Sequence, residues 1–517
     1  MRIALRMNYK NLKYKRTNKM NKEFVLGFLP TRRSFFSKED ALKYKKITYD
    51  KILSLIPKGV KIIDIEWLND EGLLFEEKDV PEVVKYFINN KVDALFAPHC
   101  NFGTENAVAQ VAKQIMKPLL IWGPRDEAPN ADGIRLRDSQ CGLFATSKVL
   151  QRYHVPFTYI TNSKVTDGVF KKGFINFIRA ANVVKFTRNT RIGQISSRPP
   201  SFYSVIVNEN ELLEKFGIEI IPFELGAVVR LAKAAIDEKN PEVDKIANDF
   251  KKIADFSRLN PLELNKIAAL KYVLSDIIKE NNLQSLALQC WDELQTQMGI
   301  CSCFVHAVIT DEGIPVACES DIHGAISSLM LQAASMFEQS TFFSDFTIRH
   351  PENDNAELLW HCGAFPPSLR INKNAGYIDK HFVLPSHATG TCNWQLRNGN
   401  ITMVRFDGIG GNYSLLCGEG KTVEGPYTLG TYVYVEVNDW PMWEEKIIYG
   451  PYIHHISCSY GKYAPVLYEA TKYIDGLTFD PAHPTKEEIQ KYLREDSDPM
   501  FEGFKVVVQD SAETVEI

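Results

Sequence analysis

Between residues 24 and 122 short apolar runs alternate with stretches of helical spacing, and that alternation leaves few folds open. Phe24 to Leu29, Val60 to Ile65, Val92 to Ala97 and Leu119 to Trp122 are runs of strand length, separated by helical patterns at Ala41 to Leu55, Val80 to Phe87 and Glu105 to Ile115. Strands that are apolar on both faces belong in a parallel sheet covered by helices. The working surface of such a sheet lies at the carboxyl ends of its strands.

The same texture resumes near Pro156, with strands expected at Phe157 to Ile160, Arg191 to Ile195 and Ile218 to Ile221 and a helix over Phe170 to Val184. A long helical tract follows from Ala227 to Glu280, interrupted between Asp255 and Leu262 where Asn260-Pro261 punctuates it. Leu286 to Trp291 is another apolar strand. Beyond Asp345 the pattern changes. Thr391 to Leu396, Ile401 to Phe406, Tyr413 to Cys417 and Tyr432 to Val437, with Val383-Leu384 before them, are short β-type segments divided by Gly, Asn and Asp. Gly408, Gly410 and Gly411 read as turn residues, and Pro484-Thr485 opens a capped last helix. The expectation is an α/β protein: two parallel-sheet, Rossmann-like N-terminal domains at 21–155 and 156–340, then a mainly antiparallel β-rich domain at 341–495. Residues 1–20 are expected to be a disordered or extraneous leader ahead of Met20, and 496–517 a tail.

A chain of 517 residues needs more than one core, about two to four domains by length alone. A net charge of −4 spread over that length gives no concentrated basic face, which excludes a nucleic-acid grip. No strand is followed by a Gly-rich phosphate fingerprint, which leaves nucleotide binding without support. Ten scattered cysteines without a CxxC pair read as reduced core thiols of a cytoplasmic protein, and no apolar run is long enough to span a bilayer.

Four apolar runs end on groups able to bind a divalent ion. Val316-Ala317-Cys318 leads to Glu319, Phe342-Phe343-Ser344 to Asp345, Leu358-Leu359-Trp360 to His361, and Pro451-Tyr452-Ile453 to His454-His455. Charged side chains beside such runs are paired or coordinated. Singly, each carboxylate could be a helix cap or half an ion pair, and His361 a satisfied core histidine. Together, two carboxylates with imidazoles make an oxygen-rich site that suits Mn²⁺ better than a thiolate-loving ion.

The segment Val316 to Ala325 (VACESDIHGA), Phe343-Ser344-Asp345-Phe346, Leu359 to Gly363 and His454 to Cys458 resemble, in that order, the fucose isomerase and arabinose isomerase superfamily. The resemblance covers about residues 20 to 490. It implies that Glu319, Asp345 and His455 hold Mn²⁺ (or another divalent cation such as Co²⁺ or Mg²⁺), with His361 as the further ligand of the arabinose isomerase branch. It implies Glu319 and Asp345 as catalytic carboxylates of an aldose–ketose isomerase acting through a cis-enediol on a free pentose or 6-deoxyhexose. It points to Gln289 and Arg33 as sugar contacts, to a sugar-binding or subunit-contacting role for His99 and Asn101, and to a homotrimer or homohexamer with sites between subunits. Trp440 is the aromatic side chain to test for stacking on the sugar, although core packing explains it equally. Two other readings of the same residues are a sugar-binding protein without turnover and a metal-dependent aldolase or epimerase.

Overall fold

The computed structural model describes residues 22–372, 376–383 and 387–496. The expected leader, the tail beyond 496 with its Phe504 to Val508 run, and Leu384 lie outside these residues.

The first sheet is parallel and built from β1 (Phe24–Phe28), β2 (Val60–Ile63), β3 (Ala94–Pro98), β4 (Leu119–Trp122) and β5 (Thr158–Tyr159), in the order β2-β1-β3-β4-β5. Alternate residues of β1 enter different cores, Phe24, Leu26 and Phe28 on one face and Val25 on the other. That is the two-residue period of a strand covered on both sides, and it is why the run reads as continuously apolar.

The second parallel sheet comprises β6 (Arg191–Ile195), β7 (Glu219–Phe223), β8 (Ser285–Leu288) and β9 (Val316–Cys318), in the order β7-β6-β8-β9. The expected opening of a second unit at residue 156 is corrected here. Its first strand, β5, hydrogen-bonds to β4, and Phe170 and Phe174 of the following helix Gly168–Thr187 pack on Trp122 and Phe96 of the first sheet. A two-residue strand carries no periodicity from which its sheet could be read. The helical tract resolves into Leu225–Asp237, Pro241–Phe250 and Pro261–Glu280, the last opened by an Asn260–Glu263 capping box.

The remaining strands are β10 (Thr341–His350), β11 (Asn353–His361), β12 (Tyr377–Lys380), β13 (Thr389–Gln395), β14 (Asn400–Ile409), β15 (Asn412–Val423), β16 (Thr431–Glu436), β17 (His455–Tyr460) and β18 (Leu477–Pro481). Antiparallel pairings run β10-β11-β16-β15-β14-β17 and back to β10, so these strands close into a barrel without free edges. The hairpin between β14 and β15 turns on Gly410-Gly411, with φ of +60° and +82°, the left-handed pair that a two-residue turn demands. The helix Ile322–Ala334 is buried along its whole length, touching β8, β9 and the barrel strands β10, β14 and β17. Among the described residues no helix is long and apolar enough to cross a membrane.

Candidate active site

The second sheet and the barrel meet where β9 ends. Leu288 and Cys318 are register partners, so Gln289 and Glu319 leave the sheet side by side at its carboxyl edge. Glu319 and Ser320 both adopt left-handed backbone, φ +59° and +55°, a conformation costing roughly 1–2 kcal/mol per L residue. The Ser320 hydroxyl holds the turn by donating to the carbonyls of Ile195 and Ser196 at the end of β6. Strain of this kind persists where surrounding structure imposes it, commonly at functional sites. Asp321 then caps the helix Ile322–Ala334, accepting from the Gly324 amide at 2.9 Å.

In the barrel Asp345 lies directly opposite His455 in the β10–β17 ladder, so their side chains share one face. His455 Nε2 stands 3.0 Å from Glu319 Oε2 and 3.7 Å from Asp345 Oδ1. His455 Nδ1 is 2.8 Å from Asp321 Oδ2. His361 closes β11, and its Nδ1 accepts from the Cys362 amide. The Phe343 ring borders both imidazoles, with centroids 5.1 Å from His455 and 6.0 Å from His361.

Four buried atoms of this group lack a hydrogen-bond partner: Glu319 Oε2, Asp345 Oδ1, His361 Nε2 and His455 Nε2. The 3.0 Å approach between Glu319 and His455 brings the atoms close without hydrogen-bond geometry. A buried polar atom with no partner costs about 1–3 kcal/mol, a cost the ion pairs of His455 with Glu319 and Asp345 offset in part. Burial opposes a charge on either side chain, yet mutual contact and Asp321 outweigh it. The His455 pKa is pushed up to about 10 and that of Glu319 is lowered. The site thus carries carboxylates that demand positive charge and oriented donor atoms left to meet it. Such a donor set fits a divalent cation of Mn²⁺ type, with the His455–Asp321 bond fixing the ring as ligating imidazoles are ordinarily fixed.

Among the described residues Asp345, His454 and His455 form a group able to hold a metal ion, with ligand atoms within 4.8 Å of one another. His454 is exposed, and the sequence reading noted it without assigning it a role.

The other expected contacts fall elsewhere. Arg33, His99 and Asn101 form a separate cluster at the carboxyl edge of the first sheet. Asn101 accepts from the Arg33 amide at 2.7 Å, and the Arg33 guanidinium lies 4.2 Å from the Phe102 ring centroid and 3.7 Å from Glu105. His99 is fully buried against Thr146, which pushes its pKa down to about 4. Among the described residues no hydrogen bond, ion pair or ring contact links this cluster to Glu319, Asp345 or His455 within the chain. Trp440 is buried, its ring 5.2 Å from that of Phe346, the neighbour of Asp345.

Sequence reasoning passed over Asp321, Arg405 and Asp407. The criterion that found Glu319, an ionisable group beside apolar residues, would have found Arg405 between Val404 and Phe406. His306 was also missed. It is buried with Nδ1 3.4 Å from Cys318 Sγ, and burial lowers its pKa to about 3.

Comparison with known proteins places this geometry in a family. Residues 27–188 match the model of the fucose/sulfoquinovose isomerase N-terminal domain, and residues 359–478 that of the L-fucose isomerase C-terminal domain. The first match ends one residue past the helix Gly168–Thr187. Sulfoquinovose isomerase of Priestia aryabhattai is 26% identical over 405 residues, covering 74% of this chain and 88% of its own. That of Alkalicoccus urumqiensis is 26% identical over 341 residues, covering 66% and 74%. The two domain matches, in chain order and on either side of the Glu319 turn, show that the chain belongs to the fucose isomerase-like family and is an aldose–ketose isomerase.

Proposed function

We propose that the protein interconverts a free aldose, a pentose or 6-deoxyhexose of fucose or arabinose type, and its ketose through a cis-enediol, at the site formed by Glu319, Asp345 and His455 with His361 beside them. The observation that carries this reading is the set of four buried ligand atoms on those residues that make no hydrogen bond, three of them gathered within 3.7 Å of His455 Nε2 or on it. A divalent cation, Mn²⁺ by preference, supplies Lewis-acid polarisation of the sugar carbonyl when bound. Glu319, Asp345 and His455 would hold it, with His361 or His454 completing the set.

The proton chemistry belongs to the carboxylates. One takes the proton from the carbon next to the carbonyl and returns it to the neighbouring carbon, while the other carries the hydroxyl proton between the two oxygens. A single carboxylate cannot stand at both positions. Gln289 leaves the sheet beside Glu319, and on this reading its amide meets a sugar hydroxyl. Burial of the site restricts water, which would otherwise compete for the enediol's protons.

The relatives' names turn the substrate panel toward sugars with a modified sixth carbon, so sulfoquinovose stands beside fucose and arabinose as a candidate. We read the two parallel sheets as Rossmann-like scaffolds, and the protein as a cytoplasmic homotrimer or homohexamer in which the Arg33, His99 and Asn101 cluster serves a neighbouring subunit's site. The separation of that cluster from Glu319 within one chain supports this assembly. Ten cysteines without a disulfide support the compartment.

The test is incubation of chelator-treated protein with each sugar, with and without Mn²⁺, followed by assay for ketose. Ketose formed only with the added ion supports the proposal. Full activity in the chelated protein would overturn the ion's role, and absence of ketose from every sugar would overturn the substrate class.

A further inference from the structure

Behind His455, a line of buried charges runs away from the sugar side. Asp321 meets His455 Nδ1 with one carboxylate oxygen and the Arg405 guanidinium with both, Nη2 reaching Oδ1 at 3.2 Å. Arg405 Nε donates to Asp407 Oδ2 at 2.8 Å, and Asp407 Oδ1 lies 2.8 Å from His323 Nδ1. These side chains are at most 7% exposed.

Stability does not account for such an arrangement, since apolar residues of equal volume are often no worse in a core. What the charges fix is position. Asp321 and His323 belong to the start of the helix Ile322–Ala334, whereas Arg405 and Asp407 sit two residues apart on β14. Two polar links, Asp321–Arg405 and His323–Asp407, therefore clamp the helix start to the barrel wall. With the helix start held, Asp321 cannot shift along the wall, and the His455 ring keeps Nε2 toward Glu319 and Asp345.

We propose that Arg405 and Asp407 are positioning residues: acting through Asp321, they orient His455 for the divalent ion. This rests on the reading that His455 ligates that ion. Removing either link is felt as weaker ion binding before it is felt as a loss of fold.

The test compares wild type, Asp321→Asn and Asp407→Asn for Mn²⁺ affinity by paramagnetic resonance of the free ion, for melting temperature without ion, and for kcat and KM at saturating Mn²⁺. Asparagine caps helices as aspartate does, so Asp321→Asn removes charge while retaining the cap. Its Mn²⁺ affinity is expected to fall about 10–100-fold, the usual cost of losing a ligand's supporting partner. Asp407→Asn, one link further away, is expected to lose about 2–30-fold, and it keeps the proposal testable if Asp321→Asn fails to fold. Saturating Mn²⁺ is expected to restore most of kcat in both. Wild-type affinity in Asp407→Asn, or in a folded Asp321→Asn, overturns the positioning role alone. A wild-type protein that isomerises sugar at full rate without any divalent ion overturns the ligation reading, and this proposal with it.

Discussion

His455 is held between Glu319 at Nε2, 3.0 Å away, and Asp321 at Nδ1, 2.8 Å away, two acids only two residues apart in sequence. Consecutive left-handed residues at Glu319 and Ser320 wrap the backbone so that both acids reach one imidazole. The turn therefore presents one carboxylate to the reacting side and the other to the supporting side.

On the proposed mechanism Glu319→Gln and Asp345→Asn each remove a proton carrier while retaining shape. Each is expected to lower kcat by about 10²–10⁴-fold, the range of a general acid or base. Ketose formation measured at saturating Mn²⁺, with far-ultraviolet circular dichroism to confirm folding, checks this. Retention of full rate by either variant would remove that residue from the mechanism.

Arg33 and Glu319 are expected to serve one site from two subunits. If so, chains carrying Arg33→Ala co-expressed with chains carrying Glu319→Gln should regain activity that neither has alone, because some assemblies pair two intact halves. Hybrid assemblies no more active than the parents would place Arg33 outside the sugar site.

Trp440 packs on Phe346 inside the core shared by the second sheet and the barrel. Trp440→Ala is expected to cost about 3–5 kcal/mol of stability, and Trp440→Phe to leave KM unchanged. Denaturant melts and sugar titrations separate the two roles. A raised KM in Trp440→Phe would assign the ring to the sugar instead.

Glu419 on β15 is buried and accepts from the Ala464 amide at 3.0 Å, and burial pushes its carboxyl up to about 8. Its folded pKa exceeds the unfolded one. The group's contribution to stability is therefore fully present below about pH 4.5 and is lost as pH rises through about 8. Glu419→Gln keeps the acceptor and cannot ionise. It is expected to match wild type near pH 5 and to be more stable near pH 9. Thermal melts across that range check the sign, and a variant less stable at pH 9 would contradict it.

The parallel sheets were legible because most of their strands are short apolar runs, as at β1, β3, β4 and β8, a pattern that survives without knowledge of neighbours. β5 was legible as a strand, but its sheet was not, because two residues carry no period and only pairing with β4 shows where they belong. Glu319, Asp345, His361 and His455 stood out because each ends an apolar run. Arg405 lies inside the segment Ile401 to Phe406 that reads as a strand, and Asp407 stands just past its end before the Gly408 turn, where a charge reads as part of the loop.

The order of elements, the closing hairpin at Gly410-Gly411 and the identity of the candidate ligands were set locally, by side-chain period, turn chemistry and the cost of placing a charge in apolar surroundings. The tertiary structure alone decided which of these charges meet. The β10–β17 register puts Asp345 opposite His455 across 110 residues of chain, and the end of β9 delivers Glu319 to the same nitrogen. No local term carries that information, because strand pairing across so long a loop is fixed by how whole faces of sheet and helix exclude water together.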